Sequence, residues 1–292
     1  MVQYNPKDWL SFIFRFHKSD TFIKLWPMIL LICFYSGAVA FFEINYWHWT
    51  ESNKVKNIVV MHSLLGFVIS LLLVFRTNTA YDRWWEGRRQ WGSLTNNSRN
   101  LALKLNALLP KNDLQNRNFF KSAIPQYAIA LKNHLRSEST RLALDENMHE
   151  ELNEIDHDKH VPNQLAALLF KKSNTLFELG KIKGDQLIVI NSELQSFTEI
   201  CGACERIKNT PIPISYSAFI KKFIFFYVMT LPWGYVFNLG YLVIPVVAFI
   251  FYVLASLELV AEEIEDPFGT DSNDLPMDKI CENIQKHVNE LL

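Results

Sequence analysis

The strongest constraint in this sequence is a charge-free run over residues 58–75, IVVMHSLLGFVISLLLVF, followed at once by RTNTAYDRWWEGRRQWG. His62, Ser63 and Ser70 are its only polar side chains. The run is close to the roughly 20 residues that a helix needs to cross a hydrocarbon core of about 30 Å. Arg76, Arg83, Arg88 and Arg89 then crowd its end, with Trp84 and Trp85 between them. Dense arginine marks the cytoplasmic side of a span, and tryptophan suits the headgroup boundary.

The faces of this helix are unequal. At the helical period, Ser63, Gly66, Phe67, Ser70, Leu71, Val74 and Thr77 share one side. Gly66 and Ser70 form a small-xxx-small pair that allows close helix approach. Phe67, Leu71 and Phe75 run along the flank at i, i+4, i+8. By itself such a stripe is helix packing or lipid contact. Repeated by several subunits around an axis, it would form a narrow apolar collar in a pore.

Taken in order, residues 1–24 read as an aromatic-rich amphipathic lead-in with Lys7, Arg15, Lys18 and Lys24 among few acids. A first span is expected at about 25–42, then a short polar loop with Trp47 and Trp49, then the 58–75 span. A helix leaving the membrane should run from 84 to about 109 and end at Pro110. Further helices are expected around 124–135 and 165–177, and no stretch alternates as a strand would. Residues 187–204 give the clearest soluble helix. Leu187, Ile190, Leu194, Phe197, Cys201 and Cys204 step by 3, 4, 3, 4, 3 as a packing seam, and Asp185 and Ile188 project almost opposite. Asp185 is a solvated N-terminal acid favoured by the helix dipole. After TPIP, two more spans are expected at about 223–237 and 241–257, in a stretch divided by Pro232, the Asn238-Leu-Gly240 turn signal and Pro245. The exit is acidic: Glu258, Glu262, Glu263, Glu265, Asp266, Asp271 and Asp274, with no Lys or Arg among them.

The expected architecture is therefore an all-α membrane protein, with four transmembrane helices per subunit and a helical cytosolic domain. Its parts are 1–83, the lead-in and first two spans; 84–215, the cytosolic helices; 216–257, the last two spans; and 258–292, the acidic turn and a C-terminal helix. Both termini fall in the cytoplasm of a bacterial inner membrane.

Chemistry-bearing motifs are few. The net charge of −1 gives no case for nucleic acid, and four scattered cysteines do not make a disulfide framework. Cys201-Gly-Ala-Cys204 has redox-motif spacing, but both sulfurs lie on the apolar seam and read as small buried hydrophobes. His149, His157 and His160, among Glu150, Glu151, Glu154, Asp156 and Asp158, suggest zinc or nickel without forming a closed ligand set. No phosphate loop, dinucleotide fingerprint, zinc-protease helix or nucleophile elbow is present, so the sequence gives no case for an enzyme. The turn EEIEDPFGTDSNDLP offers the oxygen ligands that suit calcium. It also reads as an acidic turn in which Asp274 caps the helix that follows.

FRTNTAYDRWWEGRRQWG after a glycine-containing span, CERI followed by TPIP, and AEEIEDPFGTDSNDLP after the last span resemble, in that order, the bacterial bestrophin homologues. The resemblance covers nearly the whole chain. It implies a symmetric homopentamer in the lipid bilayer around one central pore for small monovalent ions. It implies Phe67, Leu71 and Phe75 at a hydrophobic neck and Ile188 at a cytosolic aperture. Asp185, one turn from Ile188 and likewise opposite the seam, is from its placement the candidate for selectivity, because a ring of aspartates makes the local potential negative. Eukaryotic members are calcium-activated anion channels whose calcium clasp matches Glu263, Asp266, Asp271 and Asp274; here Ser272 and Asn273 interrupt it. Bacterial relatives resemble cation channels more than chloride channels, so Na⁺ or K⁺ is expected ahead of chloride, with a chloride channel of the same fold as the alternative. A membrane-anchored sensor or scaffold that conducts nothing is the rival of another class.

Overall fold

The computed structural model describes residues 21–47, 58–136, 155–156 and 158–292. The lead-in before residue 21, Trp49, and His149 and His157 with Glu150, Glu151 and Glu154 lie outside the described residues. Among the described residues the secondary structure is helical throughout, with no strand. The helices are α1 (Thr21–Phe42, continued by a π-helical turn Glu43–Trp47), α2 (Ile58–Leu108), α3 (Leu114–Arg136), α4 (Val161–Glu178), α5 (Gly184–Asn209), α6 (Ile214–Leu239), α7 (Val243–Glu265) and α8 (Met277–Leu291). A 3-10 turn, Gly240–Leu242, joins α6 to α7.

The chain forms two compact units. The first contains residues up to Arg83, Pro211–Asp266 and Asp271–Asn273. The second contains Trp84–Thr210, Pro267–Thr270 and Asp274–Leu292. Helix α2, 51 residues long, contributes its first part to the first unit and the rest to the second.

Among the described residues three stretches, Thr21–Trp47, Ile58–Leu108 and Ile214–Glu265, are long and apolar enough to cross a membrane. The third is folded back on itself. Gly240 at φ +52°, a backbone region that favours glycine, turns the chain. Lys221 near the start of α6 then meets Glu262 near the end of α7 at 2.9 Å, so the two helices are antiparallel. Both helices outrun the expected spans, beginning at Ile214 and ending at Glu265. Pro232, which a local rule would place at a break, sits buried within α6. The core joins Leu25, Ile32 and Ala40 of α1, Ile69 and Leu73 of α2, Ile224, Val228 and Leu231 of α6, and Val243, Val247 and Phe251 of α7. Helix α2 approaches α6 closely. A Cβ on Gly66 would stand 2.9 Å from the Tyr227 hydroxyl, and one on Gly234 would stand 3.1 Å from the His62 ring. His62 is wholly buried and its Nε2 pairs with Thr230 Oγ1 at 2.9 Å.

Arg76, the first arginine after the charge-free run, is buried and paired. It is 1 % exposed, with Nε 3.4 Å from Glu258 and Nη2 2.6 Å from Glu265. Glu265 Oε1 also accepts the Ile212 amide at 2.7 Å, and its carbonyl accepts from Arg83 at 3.1 Å. A guanidinium can leave water only when carboxylates take up its charge, and two do so here.

The second unit has its own core. Trp91, Leu94, Leu101 and Leu105 of α2 pack with Phe120, Ile124, Tyr127 and Leu131 of α3, Leu165 and Leu169 of α4, and Ile284 and Val288 of α8. The α5 seam enters it as expected, with Ile190, Leu194, Phe197, Cys201 and Cys204 buried and Leu187 half-buried against them. Tyr127 donates its hydroxyl to the Phe197 carbonyl at 2.7 Å, which satisfies the one polar atom its ring brings inside.

Candidate functional site

The membrane part of α2 has one buried edge, formed by His62, Ile69, Leu73, Arg76 and Ala80. Phe67, Leu71 and Phe75 lie almost opposite that edge and are 71 %, 46 % and 57 % exposed. Val60, Leu64 and Val74 share the bare face. The hydroxyls on this side are turned back onto the helix: Ser63 donates to the Val59 carbonyl, Ser70 to Gly66 and Thr79 to Phe75, at 2.8–3.1 Å. That leaves the face apolar in chemistry as well as in composition. Of the small-residue pair, Gly66 meets α6 within the chain, whereas Ser70 remains exposed.

Helix α5 presents the second candidate surface. Its N-terminus is closed by the Lys183 amide, which donates to the Gln186 side chain at 2.9 Å. Asp185 follows in the first turn, exposed, and Ile188 one turn later is 72 % exposed. Val189 beside it is also exposed, a second apolar residue that the seam pattern alone did not single out.

The cysteine pair behaves as the seam reading requires. Cys201 and Cys204 are free and buried, and burial, with the Glu205 carboxylate adding to it, pushes the Cys201 thiol up to about 12. A thiol held there supplies almost no thiolate at neutral pH, so redox exchange is disfavoured.

In the acidic turn the first clasp-like residue, Glu263, already has two partners. Glu263 holds Lys24 Nζ at 2.5 Å on one carboxylate oxygen and the Asn273 amide at 2.7 Å on the other. Both oxygens are thus engaged, and one faces a cation that calcium would have to displace. Asp266 and Asp271 close the first unit's share of the turn. In the second unit Asp274 is 3 % exposed and packed so tightly on Gly269 that a Cβ there would sit 2.7 Å from its carboxylate. The last helix begins after Pro276, whose side chain makes no cap, and the turn before it is closed by the Leu275 amide, which donates to the Pro267 carbonyl at 2.9 Å.

One cluster was only partly visible in the sequence. His134 at the end of α3 and His160 before α4 both bring Nε2 to the same Glu205 oxygen on α5, at 2.7 and 2.6 Å. Burial pushes the Glu205 carboxyl up, but the hydrogen bonds from His160 and His134 more than offset it and hold it below the usual carboxylate range. Glu205 lies 71 residues from His134 and 45 from His160, so spacing gave no signal.

A family model described as Bacterial/Fungal Bestrophin protein matches residues 1–290. The chain belongs to the bestrophin family. This bestrophin is 30 % identical over 295 residues to a voltage-dependent anion channel-forming protein of Synechocystis, covering 99 % of this chain and 93 % of that protein. It is 30 % identical to the voltage-dependent anion channel-forming protein YneE of Escherichia coli, covering 98 % and 92 %. Among solved structures it is similar to a bestrophin homologue from Klebsiella pneumoniae bearing a point substitution, with a TM-score of 0.80, 28 % identity, and 92 % and 98 % of the two chains covered. Bestrophin membership makes the chain an all-helical membrane protein of a channel family and not an enzyme.

Proposed function

We propose that this bestrophin forms a homopentameric channel in the bacterial inner membrane, with Phe67, Leu71 and Phe75 of each copy forming the neck of a shared pore. The observation that carries the reading is the bare apolar face of α2, opposite its buried edge and with its hydroxyls tied back. Among the described residues the core of the first unit is apolar, whereas a closed ring of identical subunits supplies an axis. Phe and Leu cannot replace a hydration shell, so the collar restricts flow by dewetting. Four crossings per subunit follow from length. The 52 residues of Ile214–Glu265 would extend about 78 Å as one helix, more than twice the hydrocarbon core, and they fold as an antiparallel pair. Two crossings before them and two within them put both termini in the cytoplasm.

Ile188 is the second constriction of this reading, with Asp185 beside it. The relatives are named anion channels, which favours anions over the cations expected from the sequence. Cation conduction remains as a second reading because Asp185 is exposed beside Ile188, and a ring of aspartates would make the local potential negative. The acidic turn acts as a structural fastening and not as a calcium sensor, since Glu263 already holds Lys24 and Asn273. Reversal potentials of the purified protein in planar bilayers under a NaCl gradient decide the ion by their sign. Cysteines placed at 67, 71 and 75 should react with small thiol reagents in the conducting state. Absence of any current, with all three positions inert, would instead leave a non-conducting sensor or scaffold.

A further inference from the structure

The cluster on the cytosolic helices has a use that conduction does not require. Among the described residues, His134, His160 and Glu205 are the one set of three His, Cys, Asp or Glu side chains whose ligand atoms all lie within 4.8 Å of one another. The three come from α3, the cap of α4 and α5, so whatever they hold ties three helices together. We infer that His134, His160 and Glu205 form a binding site for a divalent transition-metal ion of the zinc type.

The donor set argues for that class. Two imidazole nitrogens and one carboxylate oxygen suit zinc and its neighbours, whereas calcium and magnesium call for oxygen alone. Three protein ligands with a fourth position left open is a recurrent zinc arrangement. The ligands are about one-third exposed, which gives the ion a route in and a place for water. Four-coordinate zinc with bonds of about 2.0–2.2 Å sets neighbouring ligand atoms roughly 3.3–3.5 Å apart. The two imidazole nitrogens therefore need to part from the carboxylate oxygen by about 1 Å or less, the movement of a small χ adjustment.

One contact opposes the ion and sets its affinity. His160 Nδ1 accepts the Asn163 amide at 3.1 Å and so caps α4, which leaves the ring proton on Nε2, facing Glu205. Metal on Nε2 needs that lone pair, so the proton moves to Nδ1 and the cap is given up. The ring changes tautomer and not charge. The site is consequently weaker than a closed structural zinc site, micromolar in order and not nanomolar.

The test uses full-length protein purified in detergent, with no histidine tag, stripped by chelator and titrated with ZnCl₂ in a calorimeter. One zinc per chain is expected, together with a zinc-dependent rise in unfolding temperature. His160→Asn is the sharpest variant, because asparagine retains a side-chain cap for the Asn163 amide while removing the ligand. It and His134→Gln should each weaken binding by about tenfold or more. His287→Gln, on α8 near Glu290, should bind as the wild type does. Wild-type protein that takes up no stoichiometric zinc overturns the assignment, without reference to how any variant folds. Equal affinity and equal thermal shift in the wild type and a folded His160→Asn, checked by circular dichroism, overturns it as well.

Discussion

Replacing Arg76 by methionine removes the guanidinium shared by Glu258 and Glu265 while keeping a side chain of similar length. Arg76 and Glu258 are 1 % and 2 % exposed, so Glu258 would be left as a buried carboxylate without its counter-charge. Breaking a buried pair in this way costs about 3–5 kcal/mol. The lower end applies here: the Arg76–Glu258 contact is long at 3.4 Å, and Glu265 keeps the Ile212 amide and some solvent contact. A loss of about 3 kcal/mol corresponds to a fall in Tm of roughly 6–12 °C for a chain of this size. The eight tryptophans supply the fluorescence signal for a thermal ramp in detergent. Arg76→Met/Glu258→Leu should recover at least about 1.5 kcal/mol, because it removes the stranded charge with its partner. Lys221→Met is the contrast: its pair with Glu262 is about half exposed on both sides, so the change should stay below about 1 kcal/mol. An Arg76→Met protein melting within about 2 °C of wild type, or a double variant that is simply additive, would refute the view that this network fastens α2 to α7.

Four further outcomes are expected. Leu71→Ala should raise single-channel current while moving stability by less than about 1 kcal/mol, since the side chain is half exposed; unchanged conductance removes it from the pore. Ile188→Ala should raise conductance, and Asp185→Asn should shift the reversal potential toward anions, most clearly at low salt where the Debye length is long; no movement in either takes α5 out of the ion path. Chelation and Asp271→Asn should leave gating unchanged, and steep activation by calcium in the submicromolar to micromolar range would contradict the fastening role of the turn. The hydrogen bond from Lys132, aided by Arg136 against the opposing effect of burial, holds the Asp278 carboxyl below its usual range, so its stabilisation is complete above about pH 4 and fades as pH falls through the lowered value. Because Asp278 is more than half exposed the effect is small, and Asp278→Asn should flatten the acid limb of the stability profile between those pH values.

What could be read in advance was what a single helix decides. The seam on α5 repeats within one helix, so its burial, and the exposure of Ile188 opposite, follow from period alone. Gly240 announced the turn between α6 and α7 because only the local backbone had to be satisfied there. The helix limits were less legible: Pro232 reads as a divider, yet it lies within α6 in a packed position. The Glu205 cluster needed three helices to be placed before two histidines could meet one carboxylate, and His160 alone pointed toward it.

The acidic exit shows the same limit more sharply, and it bears on how the membrane helices are held. Read along the chain, Glu258, Glu262, Glu263 and Glu265 are an acidic exit with no Lys or Arg among them, and of the four only Glu263 belongs to the clasp-like set. In the fold each meets a cation or donor from another helix of the first unit: Glu258 and Glu265 meet Arg76 of α2, Glu262 meets Lys221 of α6, and Glu263 meets Lys24 of α1. Those partners lie 41 to 239 residues away, beyond any local pattern. The last turns of α7 therefore meet three neighbouring helices through charge, with the buried Arg76 contacts carrying most of the stabilisation and the half-exposed Lys221–Glu262 pair little. A calcium ion at Glu263 would have to displace Lys24 of α1, so metal binding there would compete with that ion pair.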